Sequence, residues 1–478
     1  MRAYHYSLLL CLFALPLFSQ NDKDYAEAFQ LIEVWLDAQK DYEKLPGLTA
    51  LIVKDQEVLW SGGFGVANEQ NGTGATPSTL FSICSISKLF TSVAIMKLYD
   101  EGKLRLDDTV DELLPWYNLA QKYPDSGPIT IRSLMTHSSG LPRESNHPYW
   151  TGPDFPFPTE EAVKEGLKEQ ETLYPASHYF QYSNLGLTLL GEIVAQVSGR
   201  PYEEYVMENI LGPLGLENTR TFLPEDEYGH QLAIGYSALD RKGERSPVAF
   251  FQAKGITPAA GYSSSVEDLG KFASWQFRLL NSKEPEVLKP ATLDYMQRVQ
   301  WTDPDWSTTW GLGFAVWKGS NNSRIVGHGG SCPGYRSSLS MEPDNKMGYV
   351  AMINAGSTNP GKYIEGMKQI LDKVKPKKES DGADKAELDL TAYTGYYSVQ
   401  PWASEEYIGV WQGGLVMLGL PADEPGKAMA FYKHVKGDTF QRIREGRDMS
   451  ETITFERDAA GKVYRYNSHG NYVHRMDR

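Results

Sequence analysis

The sequence predicts an α+β chain, an antiparallel sheet carrying a helical subdomain, followed by a small all-β barrel. Three observations predict it. Strand-like apolar runs cluster at residues 48–60 and again at 310–354, with helical patterns between them instead of alternating βα units. Residues 375–386 are charged, contain Pro and Gly and lack apolar anchors, which marks a linker. Beyond them, short alternating runs separated by Gly turns take over, the pattern of a small antiparallel barrel or sandwich. At 478 residues the chain is also too long for one ordinary domain. The expected organisation is an export signal at 1–20, a main domain at 21–374, a linker at 375–386 and the barrel at 387–478.

The elements follow in order. Ala26, Phe29, Leu31, Ile32, Trp35 and Leu36 lie at helical spacing. Leu48–Val53 and Val58–Trp60 read as a hairpin that Gly62-Gly63-Phe64-Gly65 should end. Ser85 to Tyr99 reads as a buried helix. Residues 129–135 look like a capped helix start, stopped by Ser138-Ser139-Gly140-Leu141-Pro142. Residues 142–160, rich in Pro and aromatics, form a loop near a cleft. A surface helix at 161–171 and an apolar one at 184–197 come next, and residues 264–280 return to a helical pattern. Four strands are expected at 310–317, 324–328, 336–341 and 348–354, then a helix at 359–374.

Charge and cysteine usage narrow the function. A net charge of -14 argues against nucleic acid, whose phosphates reward Lys and Arg surfaces. Leu8 to Phe18 is an almost unbroken apolar run, preceded by Arg2 and followed by polar residues. It is too short to span a bilayer, so it reads as an export signal and places the mature chain in the periplasm or outside the cell. No later stretch is apolar for long enough to form a transmembrane helix. Beyond Cys11 in that run, Cys84 and Cys332 are too few for a disulfide scaffold. The histidines show no metal spacing, and the glycine-rich pieces lack a phosphate-loop ending. Neither metal nor cofactor is expected.

Three short motifs carry chemistry. In Ser85-Ile86-Ser87-Lys88, a serine and a lysine three positions apart on a helix start share a face. A serine hydroxyl needs a base, and a lysine in apolar, cationic surroundings can lose its proton to become one. In Tyr182-Ser183-Asn184, the phenol can relay a proton and the amide can hold a substrate carbonyl. In His328-Gly329-Gly330, two glycines let an extended substrate approach a strand edge.

Together these motifs resemble the serine β-lactamase and penicillin-binding-protein superfamily, in its class C β-lactamase-like branch of DD-peptidases, D-aminopeptidases and esterases. Phe81 to Thr91 resembles the nucleophile segment, and Leu106 to Val110 the stretch after its helix. Ile129 to Pro142, Phe180 to Gly199, Pro258 to Ser264 and Gly327 to Tyr335 follow in the family's order. The resemblance implies a β-lactamase/transpeptidase-like sheet. It implies Ser85 as the acylated nucleophile, with Lys88 and Tyr182 sharing general-base and general-acid duty. It further implies an oxyanion hole from the backbone N–H groups of Ser85 and Ser331, and substrate binding by Asn184, His328, Gly329 and Gly330.

The implied function is an exported hydrolase of amides or esters, a D-amino-acid peptidase, carboxypeptidase or esterase acting on a small molecule or short peptide. A β-lactamase and a non-turnover penicillin-binding sensor are the alternatives. His328 stands where many β-lactamases have lysine, and a neutral histidine attracts a carboxylate less. Tyr335 could contact a substrate, and Arg336 could restore the missing charge if it points inward. Cys84 and Cys332 flank the two oxyanion donors, so the fold would allow a disulfide, although two buried free thiols are the expectation. The C-terminal part resembles the lipocalin-like barrel of some relatives, and could cover the cleft, bind a ligand or pair subunits into a homo-oligomer.

Overall fold

The computed structural model describes residues 24–319, 322–376, 388–398, 401, 403–444 and 450–477. The expected export signal and most of the linker lie outside them. The described chain divides into two compact units. One comprises Ile32–Lys368 with Gly419–Pro425, and the other gathers the barrel with the residues up to Leu31 and from Gln369.

The first unit is built on the strands β1 (Gly47–Lys54), β2 (Glu57–Asn68) and β3 (Thr73–Gly74) and on a later group. That group is β6 (Trp301–Thr302), β7 (Thr309–Trp310), β8 (Ala315–Lys318), β9 (Arg324–Cys332), β10 (Tyr335–Glu342) and β11 (Met347–Ile353). They form one antiparallel sheet in the order β3-β2-β1-β11-β10-β9-β8-β7-β6. The short strands β4 (Phe81–Ser82) and β5 (Ser263–Ser264) pair separately beside the nucleophile segment. β1 is buried along almost its whole length, as expected for a central strand with both faces covered.

Register places the site. Leu51 pairs with Val350, Val350 with Leu339, and Leu339 with His328. Successive strand residues alternate faces, so this row shares one face, while Ala50, Ala351, Ser338 and Gly329 share the other. Helix Val266–Leu280 covers the His328 face. Its Gly270 packs against Leu51 so closely that a Cβ would lie 2.8 Å from the leucine's Cδ2. On the opposite face, Gly366 of helix Gly361–Leu371 makes room for Trp35.

Several expected boundaries move. Gly62–Gly65 do not end the first hairpin, because β2 continues through them to Asn68. They are glycines for packing: a Cβ on Gly63 would lie 2.3 Å from the Ala75 carbonyl oxygen. The run 310–317 is not one strand. A turn at Gly311–Phe314, with Gly313 at φ +82°, separates β7 from β8. Ser85 is not inside the helix but on a 3-10 turn, Cys84–Ile86, with the helix running from Ser87 to Asp100. The final helix of this region is shorter than expected, Gly361–Leu371.

In the second unit β12 (Gly395–Ser398), β13 (Glu405–Trp411), β14 (Gly414–Leu420) and β15 (Met429–Lys436) lead into β16 (Thr439–Ile443), β17 (Thr452–Arg457), β18 (Val463–Ser468) and β19 (Asn471–Arg475). These eight strands close into a barrel in sequence order, which removes free sheet edges. Tyr393, Tyr397, Phe440, Phe455 and Tyr466 are among the residues that fill its core.

Candidate active site

The nucleophile turn is held from four sides. Ile83 N–H donates to Tyr262 O at 2.9 Å, and Ser337 Oγ donates to Ile83 O at 2.9 Å. Ser87 Oγ donates to Cys84 O at 2.5 Å, and Tyr262 N–H donates back to Ser87 Oγ at 3.1 Å. Cys84 takes a left-handed φ of +52°, unusual for a side chain that is not glycine. These bonds present Ser85, half-buried, at the start of helix Ser87–Asp100.

Lys88 is fully buried one turn on, its Nζ 3.1 Å from Ser85 Oγ and donating to Ala259 O at 2.7 Å. Burial holds its pKa well below that of a free lysine. Glu144 partly offsets this and Arg143 reinforces it. Tyr182 reaches the same serine through its hydroxyl, and burial raises its pKa, so the phenol keeps its proton. Lys88 Nζ lies 4.9 Å from the centroid of the Tyr182 ring.

His137 is the residue that fixes Tyr182. Its carbonyl accepts from Gln181 N–H at 2.7 Å and its Nδ1 accepts from Ser183 N–H at 3.1 Å. Its ring packs tilted against Tyr182, 4.3 Å between centroids. Burial, then the charge of Lys88, holds its pKa well below the usual value, so the ring stays a neutral acceptor.

β9 meets this cluster with a half-open edge. β8 pairs with it only from Arg324 to Gly327, so His328 to Cys332 carry no partner strand on that side. An extended substrate can therefore add along Gly329–Ser331, both ends of which are exposed. His328 is buried, with its pKa lowered to about 3 by burial and by Lys88, and brings no positive charge at neutral pH. Its Nδ1 lies 2.6 Å from the Gly329 carbonyl oxygen, and its Nε2 is buried without a partner.

Other expectations change. Gly330 has a packing reason: a Cβ would lie 2.2 Å from both Ile83 O and Ser337 Oγ, so the glycine makes room for the nucleophile turn. Gly329 is unconstrained, its nearest neighbour to a Cβ being Ser337 O at 3.7 Å. Cys84 and Cys332 are not free thiols. They form a disulfide with their Cα atoms 5.8 Å apart, joining the residue before Ser85 to the residue after Ser331. Tyr335 is buried, its hydroxyl donating to Ala233 O at 2.6 Å, and does not face substrate. Arg336 pairs with Ser331 and so projects to the face opposite His328, where it cannot stand in for a motif lysine.

Asn184 departs most. It is buried at the first turn of helix Asn184–Ser198, which Ser183 caps. Its Nδ2 donates to both carboxylate oxygens of Glu144, at 2.8 and 2.9 Å, and its Oδ1 is buried without a partner. The donor meant for a substrate carbonyl is thus engaged by the protein itself. Glu144 also accepts from the Tyr149 hydroxyl and pairs with Arg143 Nε at 3.0 Å. The signal for Arg143 and Glu144 was a charged pair directly after the Ser138–Pro142 stop, in the loop placed near a cleft.

Serine, buried lysine and protonated phenol, grouped beside an open strand edge on this fold, define a site of the β-lactamase/transpeptidase type. The chain belongs to the Beta-lactamase family, whose model matches residues 35–369. It is 27% identical over 357 residues to "Beta-lactamase-like protein 2" of Dictyostelium discoideum, covering 74% of this chain and 64% of that protein. The chain thus spans less than two-thirds of that relative's length. The octameric penicillin-binding protein homologue from Pyrococcus abyssi superposes with a TM-score of 0.63 at 26% identity, over 93% of this chain and 99% of that one. A D-stereospecific amidohydrolase from a Streptomyces species shares the fold at 24% identity and a TM-score of 0.57, over 72% of this chain and 98% of that one. Relatives with this fold are serine hydrolases. Among the described residues no helix is long and apolar enough to cross a membrane.

Proposed function

We propose that this protein is an exported serine hydrolase of amide or ester bonds that acts through an acyl-enzyme on Ser85, as a D-amino-acid peptidase, carboxypeptidase or esterase. The observation that carries this reading is the contact of buried Lys88 with Ser85 at 3.1 Å, with the Tyr182 hydroxyl on the same serine. Ala259 O takes one Lys88 N–H, which leaves the lone pair of the neutral amine for the serine proton. Ser85 Oγ attacks the substrate carbonyl as Lys88 takes its proton. The oxyanion forms against the backbone N–H groups of Ser85 and Ser331. Tyr182, still a phenol, hands its proton to the leaving group and is reprotonated from Lys88. Water then attacks the acyl-enzyme by the reverse proton path.

The neutral His328 argues against β-lactam hydrolysis as the principal task. The disulfide and the apolar N-terminal run support work in an oxidising compartment. The octameric relative supports self-assembly. Covalent labelling tests the core of the reading. Incubated with p-nitrophenyl acetate, the wild type gains an acetyl mass on Ser85 and Ser85→Ala does not; equal labelling of both overturns it.

A further inference from the structure

Two basic side chains flank the catalytic phenol, and only one of them reaches solvent. Lys88 is fully buried, whereas the Arg143 side chain is 57% exposed. The Arg143 guanidinium carbon lies 4.9 Å from the centroid of the Tyr182 ring, the same distance as Lys88 Nζ. Serine, lysine and guanidinium are therefore grouped around one phenol.

The guanidinium is also oriented. Its Nε meets Glu144 Oε1 at 3.0 Å, and Glu144 is itself held by Asn184 and Tyr149. The Arg143 carbonyl accepts from Asn184 N–H at 2.7 Å and from Leu185 N–H at 3.2 Å, which fixes the backbone under the side chain. Among the described residues neither Nη group makes a hydrogen bond, and Glu144 is the ion-pair partner of the guanidinium. A held fork whose outer nitrogens make no hydrogen bond is the geometry that takes a carboxylate in two parallel hydrogen bonds. The position of the motif lysine carries no charge, since His328 is neutral as expected, and Arg336 is on the other face of the sheet and does not replace it.

We propose that Arg143 is the anchor for a substrate carboxylate, so that this site prefers acyl compounds bearing a free carboxylate near the scissile bond. The assignment rests on the acyl-enzyme reading above for its catalytic meaning. Glu144 acts as a positioning residue for the fork, and its four contacts leave it no role as a counter-charge for a substrate ammonium.

The test compares benzylpenicillin with its methyl ester, which differ only in the carboxylate. Acylation of Ser85 is followed by intact mass in the wild type, Arg143→Ala and Arg143→Lys. The wild type is expected to favour the acid by about 10- to 100-fold, Arg143→Ala to bring the ratio near one, and Arg143→Lys to keep part of it. Arg143 also influences Lys88, but that effect is common to both compounds and cancels in the ratio. A second arm removes chemistry: calorimetric binding of the same two compounds to Ser85→Ala, with and without Arg143→Ala. Discrimination by Ser85→Ala that the double variant loses supports the anchor even if no acylation occurs, in which case only the catalytic reading falls. Equal binding of acid and ester by Ser85→Ala, or full discrimination retained without Arg143, overturns the proposal.

Discussion

Replacing Gly330 with alanine puts the packing argument under direct strain. The added Cβ would sit 2.2 Å from Ile83 O and from Ser337 Oγ, which are themselves joined by a 2.9 Å hydrogen bond. Neither is the loose end of a long side chain, so relief requires β9 and the nucleophile turn to part by about 1 Å to reach ordinary contact. Overpacking of this kind costs about 1–3 kcal/mol. Ile83 is two residues before Ser85, so the same shift misplaces the serine, and a displacement of about 1 Å is worth roughly 100-fold in rate. The assay is thermal unfolding together with the rate of Ser85 acylation by p-nitrophenyl acetate. Gly330→Ala should melt several degrees lower and acylate far more slowly. Gly329→Ala, whose Cβ meets nothing closer than 3.7 Å, should melt near the wild type. Equal melting temperatures for Gly330→Ala and wild type, or equal damage from both substitutions, would refute the reasoning.

Stability should fall on mild acidification. His328 titrates at about 3 in the folded protein and His137 well below its usual value, against about 6.5 when unfolded. Below pH 6.5 the unfolded chain therefore takes up protons that the folded chain refuses, and stability is lost as pH falls through the window above the folded pKa values. His328 contributes about 2 kcal/mol of loss between pH 7 and pH 5, and His137 adds to it in the same direction. Denaturant titrations should show it, and His328→Asn should make the slope shallower; a curve flat between these pH values would contradict the assignment. The Cys84–Cys332 bond closes 248 residues, so its loss in the double serine variant should cost up to about 5 kcal/mol by chain entropy. It should also slow acylation, because the bond ties the residue before Ser85 to the residue after Ser331, the two proposed oxyanion donors. An unchanged denaturation midpoint and acylation rate would remove the bond from the account.

The sequence made legible whatever was local. Ser85 and Lys88 are three residues apart, and that spacing alone brings them together. The order of helices and strands, and an all-β C-terminal domain, followed from periodicity and turn residues, while its form as a barrel came with the family resemblance. What escaped depended on distant partners. The reason for Gly330 lies in the packing of β9 against the nucleophile turn, which no local pattern encodes. Asn184 spends its donor on Glu144, forty residues earlier in an irregular loop whose path the sequence leaves open. The hold of His137 on Gln181, Ser183 and Tyr182 crosses from one loop to another, which no local pattern encodes. The cysteines were placed beside the oxyanion donors, yet proximity alone did not decide between thiols and a bond. An apolar run with two glycines, 310–317, was merged into one strand because periodicity does not separate a long strand from a tight hairpin.

The central claim is that Ser85 becomes acylated with Lys88 as its base. The direct measurement is rapid-quench intact mass with peptide mapping, after exposure to p-nitrophenyl acetate across a range of pH, in the wild type and Lys88→Met. The account predicts one acetyl adduct, on the peptide containing Ser85, at a rate that falls as acid protonates Lys88 and that collapses in the variant. An adduct on another residue, or one formed equally fast without Lys88, would contradict it.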